Sequence, residues 1–163
     1  HIRMRKFILV LSCLWVMSVN AQQVTELSWE DLIPETERKL LDLWERQLPT
    51  DENFSNPIAS ALGKVRPNLD GKDIKIAGFV IPLEGDEEQI FEMLLVPYFG
   101  ACFHVPPPPA NQIIHITFKT GVKIKDLWDV VYVSGKLQTK QTINEFAEVG
   151  YSMQGLSIEE YEE

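Results

Sequence analysis

Four consecutive prolines, Pro106 to Pro109, constrain this chain more than any other feature of its 163 residues. Each proline fixes φ, removes a backbone donor and pushes the residue before it out of the helical region, so Val105 to Pro109 is expected to run as an extended, polyproline-like rod. No helix can pass through it. Just ahead of the rod stand Cys102 and His104, and just behind it Asn111 and Gln112. A rigid segment beside a thiol and an imidazole is the form that a built site takes.

Around the rod the pattern is that of strands. Ile74, Ile76, Gly78 and Val80 alternate with Lys75 and Ala77, and beyond Gly78 both faces become apolar through Phe79 and Ile81. A glycine at that point allows a bulge or a sharp coil. Further strands are expected at 90–96, 112–119, 127–139 and 150–158, separated by Glu84-Gly85-Asp86, the proline loop, Thr120-Gly121 and the segment 142–148. Five strands with curvature glycines at Gly78, Gly135 and Gly155 fit a mainly β fold. The expected form is a small five-stranded, partly open barrel of the oligonucleotide/oligosaccharide-binding type, with another small barrel or a sandwich as the alternative.

Residues 28–48 carry a helical pattern instead. Ser28 with Asp31 is a capping signal before a short turn, Pro34 suits the first position of a new helix, and Glu35 and Glu37 complement its positive end. Leu40, Leu41, Trp44 and Leu48 recur at helical spacing as one apolar stripe, and Pro49 ends it. Such an N-terminal helix is expected to cover the open end of the sheet, which gives Trp44 a packing role rather than a ligand role. Residues 50–70 are polar and irregular, with Pro57 and Pro67. They read as a connector holding one short helical turn at Ile58 to Leu62 and a turn at Asn68-Leu69-Asp70-Gly71.

With 45% hydrophobic and 24% charged residues, there is material for one small globular domain and not for two. From Met4 the chain runs through Arg5 and Lys6 into an apolar stretch from Phe7 to Val19, and then through Asn20 and Ala21 to Gln22. That is the basic n-region, short h-region and small-residue cleavage pattern of a secretory signal peptide. His1, Ile2 and Arg3 precede the pattern. Cleavage is expected after Ala21, so that 1–21 is a signal peptide, 22–70 a helical arm with its connector and 71–163 the barrel, in a protein bound for the periplasm or otherwise exported. The apolar run is too short for a comfortable span, and no transmembrane segment is expected in the mature chain. The rival is a lipoprotein box at Val10-Leu11-Ser12-Cys13 with Cys13 lipidated, although the apolar stretch ahead of it is only about half a normal h-region.

Loss of the signal removes three cations, Arg3, Arg5 and Lys6, and no acid, so the formal net charge moves from −9 to −12. A surface of that sign disfavours nucleic acid and anionic membrane as partners. Cys13 leaves as well. A single remaining cysteine cannot close an internal disulfide, so Cys102 is a buried thiol, a metal ligand, a reactive thiol or a point of intermolecular pairing.

On an extended segment the period of two turns the Cys102 and His104 side chains to one side, with α-carbons roughly 6–7 Å apart. A thiolate and an imidazole so placed could share one Zn²⁺, at about 2.3 Å and 2.0 Å. They could equally form a thiolate–imidazolium pair with a nucleophilic sulfur. A closed zinc site needs two more ligands, and His115 is the candidate, because Ile114, Ile116 and Phe118 claim the core face and leave His115 on the other face with Thr117. The bland alternatives are a small buried hydrophobe for Cys102 and a half-exposed sheet histidine for His115. Pro106, Pro107, Pro108 and Pro109 act as loop support, packing on Tyr98, Phe99 or Trp128, while Asn111 and Gln112 bond loop backbone that proline has deprived of partners. No glycine-rich phosphate loop, His-Glu-x-x-His or Gly-x-Ser-x-Gly motif is present. Glu159, Glu160, Glu162 and Glu163 form an acidic tail suited to solvation.

With these residues in view, the chain resembles an uncharacterised bacterial family of exported proteins, a domain of unknown function. The segments that carry the resemblance are the strand from Gly71 to Leu83, the long motif from Leu95 to Gln112, Asp126-Leu127-Trp128 and Gly150-Tyr151, with a further fit at Trp29 to Leu32. It covers about Leu69 to Tyr161. The resemblance implies a periplasmic or lipoprotein companion of an ABC-type export system, with some members beside zinc-regulated genes. His115 lies outside the matched motif.

Three function classes remain. The first is a non-enzymatic exported accessory protein that binds a ligand or an envelope protein partner at the Cys102–His104 loop, with Zn²⁺ as the candidate cofactor. The second is a thiol-dependent enzyme or redox protein with Cys102 as nucleophile and His104 as base. The third is a structural interaction module whose loop only locks the barrel.

Overall fold

The structure, a computed structural model, describes residues 21–45, 62–98, 108–123, 129–143 and 148–162. The signal pattern, the turn expected near Ile58, and the loop residues 99–107 with Cys102, His104, Pro106 and Pro107 lie outside them. In chain order the elements are β1 (Thr25–Glu26), α1 (Glu35–Glu45), β2 (Asp73–Gly85), β3 (Gln89–Val96), β4 (Ile114–Lys123), β5 (Val130–Gln138), β6 (Thr142–Ile143), β7 (Glu148–Val149) and β8 (Tyr151–Glu160). Short 3-10 turns at Trp29–Leu32, Pro67–Leu69 and Ala110–Gln112 punctuate them.

The long strands lie in the order β2-β3-β4-β8-β5, and β5 closes back on β2. All these pairs are antiparallel except β4–β8, which is parallel. The protein is thus mainly β, a five-stranded barrel of the oligonucleotide/oligosaccharide-binding type, with β1 as an added strand and one short helix near the N-terminus. The β4–β8 seam is paired only from Ile114↔Tyr151 to Thr117↔Gln154, which leaves the barrel loosest there.

Closure depends on β2 serving two partners. Asp73 to Phe79 pairs with β5 and Phe79 to Gly85 with β3, so the strand changes neighbours at Phe79. Gly78 stands at this bend. A Cβ there would lie 2.8 Å from Val96 O, so only glycine lets β3 approach so closely. Past the bend both faces are apolar. Ile74, Ile76, Met93, Leu95, Ile116, Val131, Val133, Leu137 and Tyr151 fill the barrel, while Leu94, Val96, Ile113 and Val149 form a second cluster on the outer face with Phe79, Ile81 and Leu83.

The turn at Glu84-Gly85-Asp86 falls at the β2–β3 hairpin, where Asp86 Oδ1 accepts the Glu88 and Gln89 amides at 2.8 and 2.7 Å. The separation expected at Thr120-Gly121 does not occur. Gly121 takes φ +70°, and the register slips between Glu92↔Thr117 and Ile90↔Val122, so the extra residues are taken up as a bulge and β4 continues to Lys123.

The N-terminal arm satisfies the half of β2 that β3 does not reach. β1 pairs in parallel with Ile74 and Lys75, the Leu27 amide donates to Lys75 O at 2.9 Å, and Trp29 Nε1 donates to Ala77 O at 2.7 Å. These bonds fill acceptors that would otherwise be an open edge. Asp31 Oδ2 takes the Ser28 amide and hydroxyl at 2.8 and 3.0 Å, and Pro34 O accepts the Glu37 and Arg38 amides to begin α1. Leu40 is 36% exposed, whereas Glu37 is only 2% exposed. Among the described residues no helix is long and apolar enough to cross a membrane.

Candidate functional site

The loop between β3 and β4 returns to the barrel through Pro108, Pro109 and the turn Ala110–Gln112, and this exit is tied to the arm by a buried polar network. Pro108 and Asn111 are buried, Asn111 to 1% exposure. Asn111 Nδ2 donates to Glu37 Oε2 at 2.8 Å and to Lys64 O at 3.0 Å, which uses both of its amide hydrogens. Glu37 also accepts the Gly63 amide on Oε2 at 3.1 Å and the Lys64 amide on Oε1 at 2.8 Å. A carboxylate in the first turn of α1 gains further from the helix dipole. The next residue continues the clamp: Gln112 Nε2 donates to Trp29 O at 2.9 Å and to Asn111 O at 3.0 Å. Asn111 and Gln112 are expected to serve the backbone of the loop, whose residues 99–107 lie outside the described residues; among the described residues they also reach the arm and the connector through Glu37, Trp29 and Lys64. From the other side the Gly150 amide donates to Ala110 O at 2.7 Å.

Tyr151 completes the junction from within the core. Its hydroxyl donates to Leu32 O at 2.7 Å and accepts the Arg66 amide at 2.8 Å, and Arg66 Nη1 donates to Asp31 O at 2.6 Å. Burial pushes the Tyr151 phenol up, partly offset by the Arg66 amide. Asp31 is held below the usual carboxylate range, first by the Ser28 backbone amide. Groups bonded to one another in this way hold the geometry of the junction.

A different arrangement occurs on the outer face. Ile114, Ile116 and Phe118 are buried and His115 and Thr117 are half-buried on the opposite side. His115 Nε2 lies 3.2 Å from Glu92 Oε2. Across the β4–β8 seam, His115 stands beside Ser152, whose Oγ is buried and has no hydrogen-bond partner among the described residues. Among the described residues no three His, Cys, Asp or Glu side chains gather as a metal site.

Sequence reasoning missed Glu37, Tyr151 and Glu92. Glu37 had a signal, since the stripe Leu40, Leu41, Trp44 and Leu48 extended one turn back lands on it. Glu92 and Tyr151 had none, because their partners lie on other strands or in the arm.

A closed five-stranded β-barrel whose turn Ala110–Gln112 is bonded to an N-terminal arm defines a small barrel protein. The chain belongs to the DUF3299 family of proteins of unknown function, whose signature matches residues 29–160. Among solved structures it is similar to a DUF3299 family protein from Pseudomonas aeruginosa PAO1, with 33% identity and a TM-score of 0.64 over 86% of this chain and 99% of that one. No curated protein matches it.

Proposed function

We propose that this chain is an exported binding protein rather than an enzyme, and that it meets its ligand or envelope partner at the β3–β4 loop. In this reading residues 1–21 are a cleaved signal peptide, Cys102, His104 and His115 take Zn²⁺, and the protein serves beside an ABC-type transport complex in the periplasm. The Phe99 to Gln112 motif is then the signature of the function.

The observation that carries the reading is the clamp on the loop exit. Three donors converge on the buried Glu37, one of them from Asn111. A short polar network of this kind fixes where the chain rejoins the barrel at Ala110–Gln112, and a fixed anchor beside a binding loop lowers the entropy lost on binding. His115 adds support: it stands one residue into β4, where the loop rejoins the sheet. The acidic composition fits a cation better than an anion.

Equilibrium dialysis and native mass spectrometry of the reduced mature protein with zinc test the metal clause. One zinc per chain is expected, with large losses in Cys102→Ala and His104→Ala. Unchanged binding in both variants removes the site. Pull-down from envelope extract, with the same two variants beside wild type, tests the partner clause.

A further inference from the structure

The barrel wall is not hydrogen-bonded along the whole β4–β8 seam. Pairing stops at Thr117↔Gln154, while β4 runs on to Lys123 beside β3 and β8 runs on to Glu160 beside β5. Beyond that point each strand shows an edge with no partner strand among the described residues. Phe118 fills the start of the split, because its ring occupies the space that a Cβ on Gly155 would take. Farther along, Val122 on one lip and Ile158 on the other are only partly buried.

Register decides which backbone groups of β8 face the split. In an antiparallel pair alternate residues exchange both bonds, and the residues between them point their N–H and C=O away. The Tyr161 amide donates to Val130 O at 3.4 Å, so Ser157 and Glu159 also bond to β5, while Ile158 and Glu160 face outward. The far side of β5 gives the same phase. Tyr132 spends its bonds on Glu159, so Ala77 opposite it turns its carbonyl to the arm, where Trp29 Nε1 takes it at 2.7 Å.

Edges are commonly blunted by charge and by bulges, and β8 has both: Glu159 and Glu160, and a bulge at Leu156 between Gly155 and Ser157. Blunting does not account for an apolar side chain at the bulge, and Leu156 is 76% exposed. A second copy is a poor occupant. Two β8 edges would bring two sets of Glu159, Glu160 and Glu162 to one seam, in a chain whose formal net charge is already −9.

We propose that the β8 edge from Leu156 to Glu160 is an interaction surface that takes up an extended, basic segment of another polypeptide as an added strand. Backbone bonds to Ile158 and Glu160 supply affinity, and the alternating side chains supply selection, with an apolar one on Leu156. Glu159 is tied to Lys75 at 3.1 Å, so the exposed Glu160 and Glu162 are the carboxylates that meet the incoming cations. Lys119 and Lys123 are exposed on the β4 lip and repel the same segment, which directs it to β8. The surface lies at the opposite end of β4 from the β3–β4 loop and stands independently of the zinc reading.

Amide exchange in the full chain is the first measurement, with Ile158 and Glu160 expected to exchange fast and Ser157 and Glu159 slowly. The probe is the blocked peptide Lys-Val-Lys-Val-Lys-Val, with Glu-Val-Glu-Val-Glu-Val as control. The lysine peptide is expected to shift the amides from Leu156 to Glu160 and to protect Ile158 and Glu160; the glutamate peptide should do neither. Glu160→Pro removes an outward donor and no bond to β5, so amide spectra should show the barrel intact. Its affinity should fall about fivefold below that of Glu160→Gln, which loses the same charge and keeps the donor. Leu156→Ser should also weaken binding, and it carries the test if the proline variant does not fold. Ile158 and Glu160 amides already protected in the free monomer overturn the proposal, because the edge is then covered. Equal affinity of Glu160→Pro and Glu160→Gln overturns strand addition in favour of charge attraction alone, as does a shift pattern centred off β8. Failure of the lysine peptide to bind leaves the edge merely blunted, and self-association that protects Ile158 and Glu160 assigns it to a second copy; either result refutes the basic partner.

Discussion

Glu37→Gln isolates the clamp, because it keeps shape and helix propensity and changes only what the side chain can accept. The carboxylate takes the Gly63 amide and Asn111 Nδ2 on one oxygen and the Lys64 amide on the other. An amide has one oxygen. In its better orientation it keeps the Gly63 and Asn111 bonds, loses the Lys64 bond and turns an N–H toward another N–H. Hydrogen bonds to charged groups contribute roughly 1.5–3 kcal/mol, so a loss of about 2 kcal/mol is expected. For a domain of this size about 4 °C of Tm accompanies each kcal/mol, so the variant should melt about 8 °C lower, with the urea m-value unchanged. The helix dipole is a competing source of loss, of about 0.3–1 kcal/mol. Glu35→Gln measures it, since Glu35 lies in the same turn with its side chain 82% exposed and a loose pair with Lys39 at 3.7 Å. Asn111→Ala combined with Glu37→Gln should show a coupling above about 0.5 kcal/mol in a double-mutant cycle. Equal melting of Glu37→Gln and Glu35→Gln would falsify the clamp, and so would additivity with Asn111→Ala.

Tyr151→Phe strands Leu32 O and the Arg66 amide and should cost about 2–3 kcal/mol, seen by calorimetry and by faster hydrogen exchange at Arg66. Ser152→Ala removes a hydroxyl that bonds nothing among the described residues, so its Tm should equal or exceed that of wild type, where a bonded serine would lose about 1 kcal/mol. Gly78→Ala should destabilise, because its Cβ would meet Val96 O at 2.8 Å; a Tm like wild type would mean that β3 can move away without cost. Asp31 has its folded pKa depressed, so its contribution is present above the unfolded value near 4 and is lost as pH falls through the folded value. The Tm difference between wild type and Asp31→Asn should therefore be full near about pH 6 and shrink once pH falls below about 4.

Chain pattern alone specified that the fold is mainly β, where β2 bends, and which face of β4 enters the core. Alternation is a local property, and Ile114, Ile116 and Phe118 needed no knowledge of neighbours to be assigned to one side. The turns at Ser28 to Asp31 and at Asp86 were equally local, since each is a side chain bonding backbone within three residues. Gly121 was misjudged as a break because a positive φ serves a bulge as well as a turn, and only the facing strand determines which.

The polar chemistry was decided elsewhere. Glu37 meets Asn111 across 74 residues, Tyr151 meets Leu32 across 119, and the Glu92–His115 pair forms only because β3 and β4 adopt one register. The apolar stripe extended back one turn separates Glu37 from the exposed Glu35, but nothing near it in the chain names the partners it meets. A hydrophobic side chain announces its burial through its own transfer free energy, so periodicity reveals the core. A buried polar group is tolerated only if specific partners arrive at hydrogen-bond distance, and those partners are supplied by how the chain closes on itself.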